Sequence, residues 1–130
     1  MILQIDTRDA LPIYAQLRDQ VVLGIAAGQL EPNEALPSVR RLAADLGINF
    51  HTVGKAYTVL CDEGYIVMDR RRGAVVAHTT AGGEAFLSEL KRKLSLSAAE
   101  AVCRQIGESE FLSLSKECYQ YVKGEKGGPS

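Results

Sequence analysis

The sequence predicts a mainly α-helical chain with a small β-hairpin wing: an N-terminal winged helix-turn-helix followed by a C-terminal α-helical dimerisation segment. Three observations carry this expectation. Two short amphipathic patterns, over residues 38–46 and 49–63, are joined by a tight turn at Gly47-Ile48. Two β-rich runs, Tyr65-Ile66-Val67-Met68 and Ala74-Val75-Val76-Ala77, flank a cationic turn, Asp69-Arg70-Arg71-Arg72-Gly73. Beyond Ala81-Gly82-Gly83 the apolar spacing becomes helical again for about forty residues, too few to close a core of their own.

Composition bounds the function. At about 150 residues per domain, 130 residues make one compact unit with room for a small appendage, which excludes a large multidomain enzyme. An apolar fraction of 46% and a charged fraction of 24% belong to a folded chain rather than a disordered one. The net charge of -1 points neither to nucleic acid nor to an anionic membrane, so any basic site has to be local. No apolar run reaches the roughly 18–20 residues that span a bilayer, and the strongest, residues 21–27, is interrupted by Gly24. The first residues carry no basic stretch with a cleavage-like site, so a cytoplasmic protein without membrane contact is expected. Cys61, Cys103 and Cys118 are odd in number and far apart, and His51 and His78 are the only imidazoles. Reduced thiols follow, with no disulfide framework, no metal and no cofactor.

Pro12 suits a first helical turn, where its missing N–H costs nothing, and Ile13, Leu17, Val21 and Ile25 repeat on one face. A helix over residues 12–27 with Gly28 as its stop is expected. After the Pro32-Asn33 turn, Ala35-Leu36 has length for a single extended pairing before Pro37. Ser38 is an N-cap ahead of Val39, Leu42, Ala43 and Leu46, and Gly47 ends that helix. Asn49 caps the next, whose Val53, Ala56, Tyr57 and Leu60 share a face as far as Glu63-Gly64. The glycine pair at 82–83 divides residues 1–80 from 81–130. From Glu84 a stripe of Phe86, Leu87, Leu90, Leu94, Ala98, Ala101, Val102 and Ile106 runs to Gly107. One continuous helix is favoured there over a break at Ser95-Leu96-Ser97, where Ser97-Ala98-Ala99-Glu100 also fits a capping box. Ser109-Glu110 opens a last helix bearing Phe111, Leu112, Leu114, Cys118, Tyr119 and Val122, and residues 124–130 read as a frayed tail. With no disulfide or metal to help these two helices, a second copy of the chain is the expected cover for Phe86, Leu87, Leu90, Leu94, Val102, Ile106, Phe111 and Leu114.

The chemistry lies in the first part. A helix about 10–12 Å across fits the major groove of B-DNA, and its N-terminal residues meet base edges and phosphates. Between Ser38 and Tyr57 the charges are Arg40, Arg41, Lys55 and Asp45, a local +2 in a chain of net -1. Asn49, His51, Thr52 and Lys55 fall at the N-terminal end of the second helix of the pair, and Tyr57 is read as half core with its hydroxyl free for a phosphate. Arg70, Arg71 and Arg72 add three cations at the hairpin tip. Each has a plainer reading: Arg40 and Arg41 as solvated helix charges, Asn49 as a cap alone, His51 as an idle surface residue, the arginine run as a device that keeps a sheet edge soluble. Gathered in one small winged arrangement, they point to nucleic acid.

The chain also resembles a known family. Leu11-Pro12-Ile13-Tyr14-Ala15-Gln16-Leu17, Ile25-Ala26-Ala27-Gly28-Gln29-Leu30, Leu36-Pro37-Ser38-Val39-Arg40-Arg41-Leu42-Ala43, Thr52-Val53-Gly54-Lys55-Ala56-Tyr57 and Leu60-Cys61-Asp62-Glu63-Gly64 occur in the order found in the winged helix-turn-helix of GntR-family bacterial transcription regulators. The resemblance covers residues 10–77, and the short helical tail is similar to that of the YtrA subfamily, whose C-terminal segment dimerises. It implies that Arg40 contacts DNA, that Ser38 caps its helix near a phosphate, that Asn49, His51, Thr52 and Lys55 lie on the recognition helix, and that Arg72-Gly73 is a wing tip entering the minor groove. The chain departs from the family at Asn49-Phe50-His51, where relatives carry Ser-Arg, at Asp69-Arg70-Arg71-Arg72, where relatives carry more glycine, and at Asn33, which replaces a turn glycine. Asn tolerates the left-handed backbone that such a turn needs.

The expected function is a sequence-specific DNA-binding transcription regulator. It would be a homodimeric repressor on an inverted-repeat operator in double-stranded DNA, controlling an operon that the resemblance links to transport and answering to a small-molecule effector if any. A winged-helix module for protein contacts is the alternative. An enzyme is not expected, since the sequence has no Ser/His/Asp or Cys/His pairing, no phosphate-binding glycine loop and no acidic metal cluster.

Overall fold

A computed structural model describes residues 3–78, 80 and 82–124. The element order is α1 (Ile13–Ala26), α2 (Val39–Leu46), α3 (Phe50–Asp62), β1 (Ile66–Asp69), β2 (Gly73–Val76), α4 (Glu84–Cys103) and α5 (Glu108–Val122). The chain divides into two units at the step from Thr80 to Ala81. The expected frayed tail, from residue 125 on, lies outside the described residues.

In the first unit, α1 is one residue shorter at each end than expected, with Pro12 as its extended N-cap rather than in its first turn, and it buries Leu17 and Val21 completely. Its Gln16 is the buried polar residue of the unit, and its amide is fully used: Nε2 donates to the carbonyls of Asp6 (2.8 Å) and Leu11 (2.9 Å), while Oε1 accepts from the Asp6 N–H (2.9 Å). That side chain, together with Gln20, whose amide pairs with the N–H and carbonyl of Gln4, straps the N-terminal segment to α1; leaving the buried Gln16 amide unpaired would cost about 1–3 kcal/mol. After α1 the chain doubles back so closely that a Cβ on Gly24 would stand 3.2 Å from Leu30 Cδ1. Asn33 takes the left-handed backbone expected of its turn, at φ 69°.

The caps fall where the sequence places them. The Arg41 N–H donates to Ser38 Oγ (3.1 Å) at the start of α2, and Gly47, at φ 66°, ends that helix in the left-handed region. The His51 N–H donates to Asn49 Oδ1 (2.8 Å) at the start of α3. β1 and β2 pair antiparallel from Ile66↔Val76 to Asp69↔Gly73, and the Ala35↔Val75 bridge adds the expected short extended pairing along β2. The Leu36 N–H donates to the Ala74 carbonyl (2.8 Å) and the Val76 N–H to the Glu34 carbonyl (2.8 Å), so that edge is covered. The core joins Leu17 and Val21 of α1, Leu42 and Ala43 of α2, Val53, Ala56, Tyr57 and Leu60 of α3, and Ile66, Ala74 and Val76 of the hairpin.

In the second unit α4 runs unbroken through Ser95-Leu96-Ser97. It ends at Cys103, three residues short of the expected Ile106. The reason is local: Gln105 turns to φ 62°, and the Ile106 N–H returns to the Ala101 carbonyl (3.0 Å), which closes the helix before Gly107. Glu108 and Glu110 occupy the first turn of α5, where the helix dipole favours carboxylates. Ala101 is the one buried residue among the described residues of α4 and α5.

Removing the fully buried Leu60 side chain tests the core. Leu60→Ala is expected to cost about 2–5 kcal/mol of unfolding free energy, whereas Leu23→Ala, at an exposed position of α1, should stay within about 0.5 kcal/mol of wild type in urea titrations followed by circular dichroism.

Candidate nucleic-acid interface

Two short helices and a hairpin tip gather the candidate side chains. The turn at Gly47-Ile48-Asn49 sets α3 after α2 with one face in the core. Because Val53, Ala56, Tyr57 and Leu60 point inward, His51 and Lys55 are left on the outer face and Phe50 at the exposed N-terminal end. Thr52 lies half-buried between the two faces.

Aromatic rings hold two of the cations. The Arg40 guanidinium lies over the Phe50 ring, with Cζ 5.7 Å from its centroid. The Phe50 and His51 rings are tilted at 45° with centroids 4.4 Å apart, so Arg40, Phe50 and His51 form one continuous surface. Lys55 Nζ lies 4.0 Å from the centroid of Tyr14, on α1. Neither contact neutralises the cation, which remains available to an anion. Arg41 is paired loosely with Asp45, one turn along α2 (3.8 Å).

At the hairpin tip the three arginines divide. Asp69 Oδ1 accepts the N–H groups of Arg71 (2.7 Å) and Arg72 (3.0 Å), fixing the turn ahead of Gly73. Those N–H donors, with the Arg72 guanidinium behind them, hold the Asp69 carboxyl below the usual carboxylate range. Arg72 folds back: Nη1 donates to the Asn33 carbonyl (3.0 Å), Nη2 to Asn33 Oδ1 (2.8 Å), and Nη2 stands 3.6 Å from Asp69 Oδ2. Arg70 and Arg71 are exposed, and their side chains make no ion pair or hydrogen bond among the described residues. The family resemblance singles out Arg72-Gly73 as the tip that enters the groove; in the structure the Arg72 guanidinium is folded back onto Asn33 and Asp69, and Arg70 and Arg71 are the arginines left unpaired among the described residues.

Tyr57 corrects an expectation. Its ring is buried in the core and its hydroxyl donates to the Pro37 carbonyl (2.7 Å), so it is not free for a phosphate. It locks α3 to the segment that leads into α2, and burial pushes its pKa up to about 12. Ser38 and Asn49 are both engaged in capping. The sequence reading missed the Tyr14 ring under Lys55 and the Asn33 partner of Arg72, pairings between residues 41 and 39 positions apart. In the second unit Phe86, Leu87, Leu90, Leu94, Val102 and Leu114 are exposed, and Ile106 and Phe111 are half-buried. Leu96, Leu112, Tyr119 and Tyr121 are exposed apolar side chains beyond the predicted set.

The model of the gntR family of bacterial regulatory proteins matches residues 11–76, the whole span of α1 to β2. The chain belongs to the GntR family. It is 33% identical over 126 residues to the HTH-type transcriptional repressor YtrA of Bacillus subtilis, covering 95% of this chain and 97% of that one. Among solved structures, a protein of Listeria monocytogenes described as a transcriptional antiterminator matches all of this chain and 97% of its own with a TM-score of 0.88 at 27% identity. A further match, with a TM-score of 0.53 and 26% identity, covers 59% of this chain and 99% of the AraR DNA-binding domain, which was solved in complex with its operator ORX1. GntR relatives of this kind are transcription regulators rather than enzymes. No described helix is long and apolar enough to cross a membrane, and no described cluster of His, Cys, Asp or Glu could hold a metal ion.

The Tyr57 hydroxyl is expected to titrate above the ordinary range of a tyrosine. A pKa raised in the folded state means that its contribution to stability is complete below pH 10 and is lost as pH rises through about 12. Tyr57→Phe should lower stability at pH 7 by about 1 kcal/mol and flatten the alkaline limb of the stability profile; an unchanged limb in pH-dependent melting would remove the Pro37 bond from the account.

Proposed function

We propose that this GntR-family protein is a cytoplasmic repressor that binds an inverted-repeat operator in double-stranded DNA as a homodimer. The observation that carries the reading is that one unit of a net negative chain exposes cations without a carboxylate partner among the described residues: Arg40 and Lys55 beside the outer face of α3, and Arg70 and Arg71 at the wing. In this reading the N-terminal end of α3 enters the major groove, with Asn49, His51 and Thr52 nearest the bases, and the wing lies along the neighbouring backbone or minor groove. The AraR domain on its operator supports the DNA partner, and the similarity to the YtrA repressor over nearly the whole length supports repression. The 1–80 unit is then the DNA-binding domain and the 81–130 unit the dimerisation segment, whose apolar side chains on α4 and α5 need a cover that the described residues do not supply.

The test is fluorescence anisotropy of the full chain with its own upstream DNA at two salt concentrations, with random duplex and the RNA of the same sequence as competitors. Tight binding that weakens with salt and that neither competitor displaces is expected; equal displacement by random DNA would overturn sequence specificity, and preferential displacement by the RNA would favour action on transcripts. Arg40→Ala should weaken operator binding about tenfold, and Arg70→Ala and Arg71→Ala should each lower the slope of log K against log salt by about one, while Arg72→Ala acts through a loosened wing.

Pairing through the second unit has its own measurement. Leu90→Asp with Leu94→Asp should shift the chain from dimer to monomer in sedimentation equilibrium, with α1–α3 still folded, and should weaken operator binding. A variant that remains a dimer would overturn the role of α4.

A further inference from the structure

Phe50 is the first residue of α3 and the one large apolar side chain in its first turn. It is 44% exposed and takes no part in the core. Side chains on a helix lean toward its N-terminus, so a ring at the first position projects past the helix end. In the reading above, that end meets the edges of the bases. The ring is braced as well as exposed, with the Arg40 guanidinium against it from α2 and the His51 ring beside it. Two polar residues are therefore arranged around an apolar centre at the tip of the helix that would enter the groove.

A benzene ring carries no strong donor or acceptor, so it cannot read N7 or O6 of guanine, N6 of adenine or N4 of cytosine. Against those edges it would displace water and leave polar groups unpaired, which is unfavourable. The one apolar group that a base pair displays in the major groove is the C5-methyl of thymine. We propose that Phe50 is a specificity-determining residue of the DNA site, packing its exposed ring on the C5-methyl of a thymine, with Arg40 and His51 holding the ring in place. The inference rests on the DNA-binding reading and adds to it the kind of base that this position selects.

The experiment uses the full chain and a duplex recovered by selection from a random library. Each thymine of that duplex is replaced in turn by deoxyuridine, which removes the methyl and keeps every hydrogen-bonding group. At one thymine position of the half-site, wild type should lose about fourfold in affinity, the equivalent of one buried methyl-sized group. Phe50→Ala should bind the thymine and uracil forms alike, and Phe50→Leu should keep part of the difference. Because Phe50 lies outside the core, both variants should melt with wild type. A wild type indifferent to the methyl at every position, or a Phe50→Ala variant that keeps the wild-type ratio, overturns the role of Phe50 while leaving DNA binding in place. A selection that enriches no sequence overturns the DNA reading and this inference with it.

Discussion

The first unit is organised around the burial of one face of α3. α1, α2 and β1 all pack on this helix, and Val53, Ala56 and Leu60 are completely withdrawn from solvent. A helix held on three sides cannot rotate about its axis without exposing that face or opening voids, each costly at native packing density. Its rotational setting fixes the opposite stripe: His51, Lys55 and Thr58 lie outward because Val53, Ala56 and Leu60 lie inward. The Tyr57 hydroxyl on the Pro37 carbonyl adds a directional lock that apolar packing alone lacks. The core of this unit thereby sets the angle at which α3 presents its outer face.

Within the first unit the partners of the cations differ with place. Away from the candidate interface, Arg18 is shared between Glu63 (2.8 Å) and Asp19 (2.9 Å). At the interface, Arg40 and Lys55 rest on Phe50 and Tyr14 instead. A carboxylate would hold a cation in place and cancel its charge; an aromatic face restricts it and leaves the charge in the field. Arg41 keeps a loose, exposed pairing with Asp45 at 3.8 Å, which contributes little.

What could be read from the sequence was local, and what could not was tertiary. Ser38 and Asn49 announce their helix starts because each side chain caps an N–H within three residues of itself, and Gly47 announces a helix end because glycine, lacking a Cβ, takes the left-handed backbone there at no steric cost. Asn33 was readable for the same reason, since its left-handed backbone is a property of its own turn. The early end of α4 was not, because Gly107 marks the stop while the reversal is made at Gln105, a residue type with no preference for positive φ. The placement of Tyr57 as half core missed the Pro37 carbonyl, 20 positions away, and the placement of Arg72 at the groove-entering tip missed Asn33, 39 positions away. Phe50 was visible as a departure from the family pattern, but its contact with Arg40 depends on how α2 and α3 cross.

The two units are stabilised by different means, and this bears on how the proposed regulator would work. The first unit has its own core, so its fold does not depend on concentration. α4 and α5 bury Ala101 and leave leucines, tyrosines and a phenylalanine in solvent, so their stability would come from pairing and would rise with protomer concentration. A single first unit presents few unneutralised cations and would bind DNA weakly. Joining two through α4 and α5 would turn the second contact with DNA into an intramolecular event, governed by effective rather than bulk concentration. Operator occupancy would then depend on the pairing equilibrium of the tail as much as on the contacts of α3, and a change confined to α4 or α5 could alter repression without touching a residue that meets DNA.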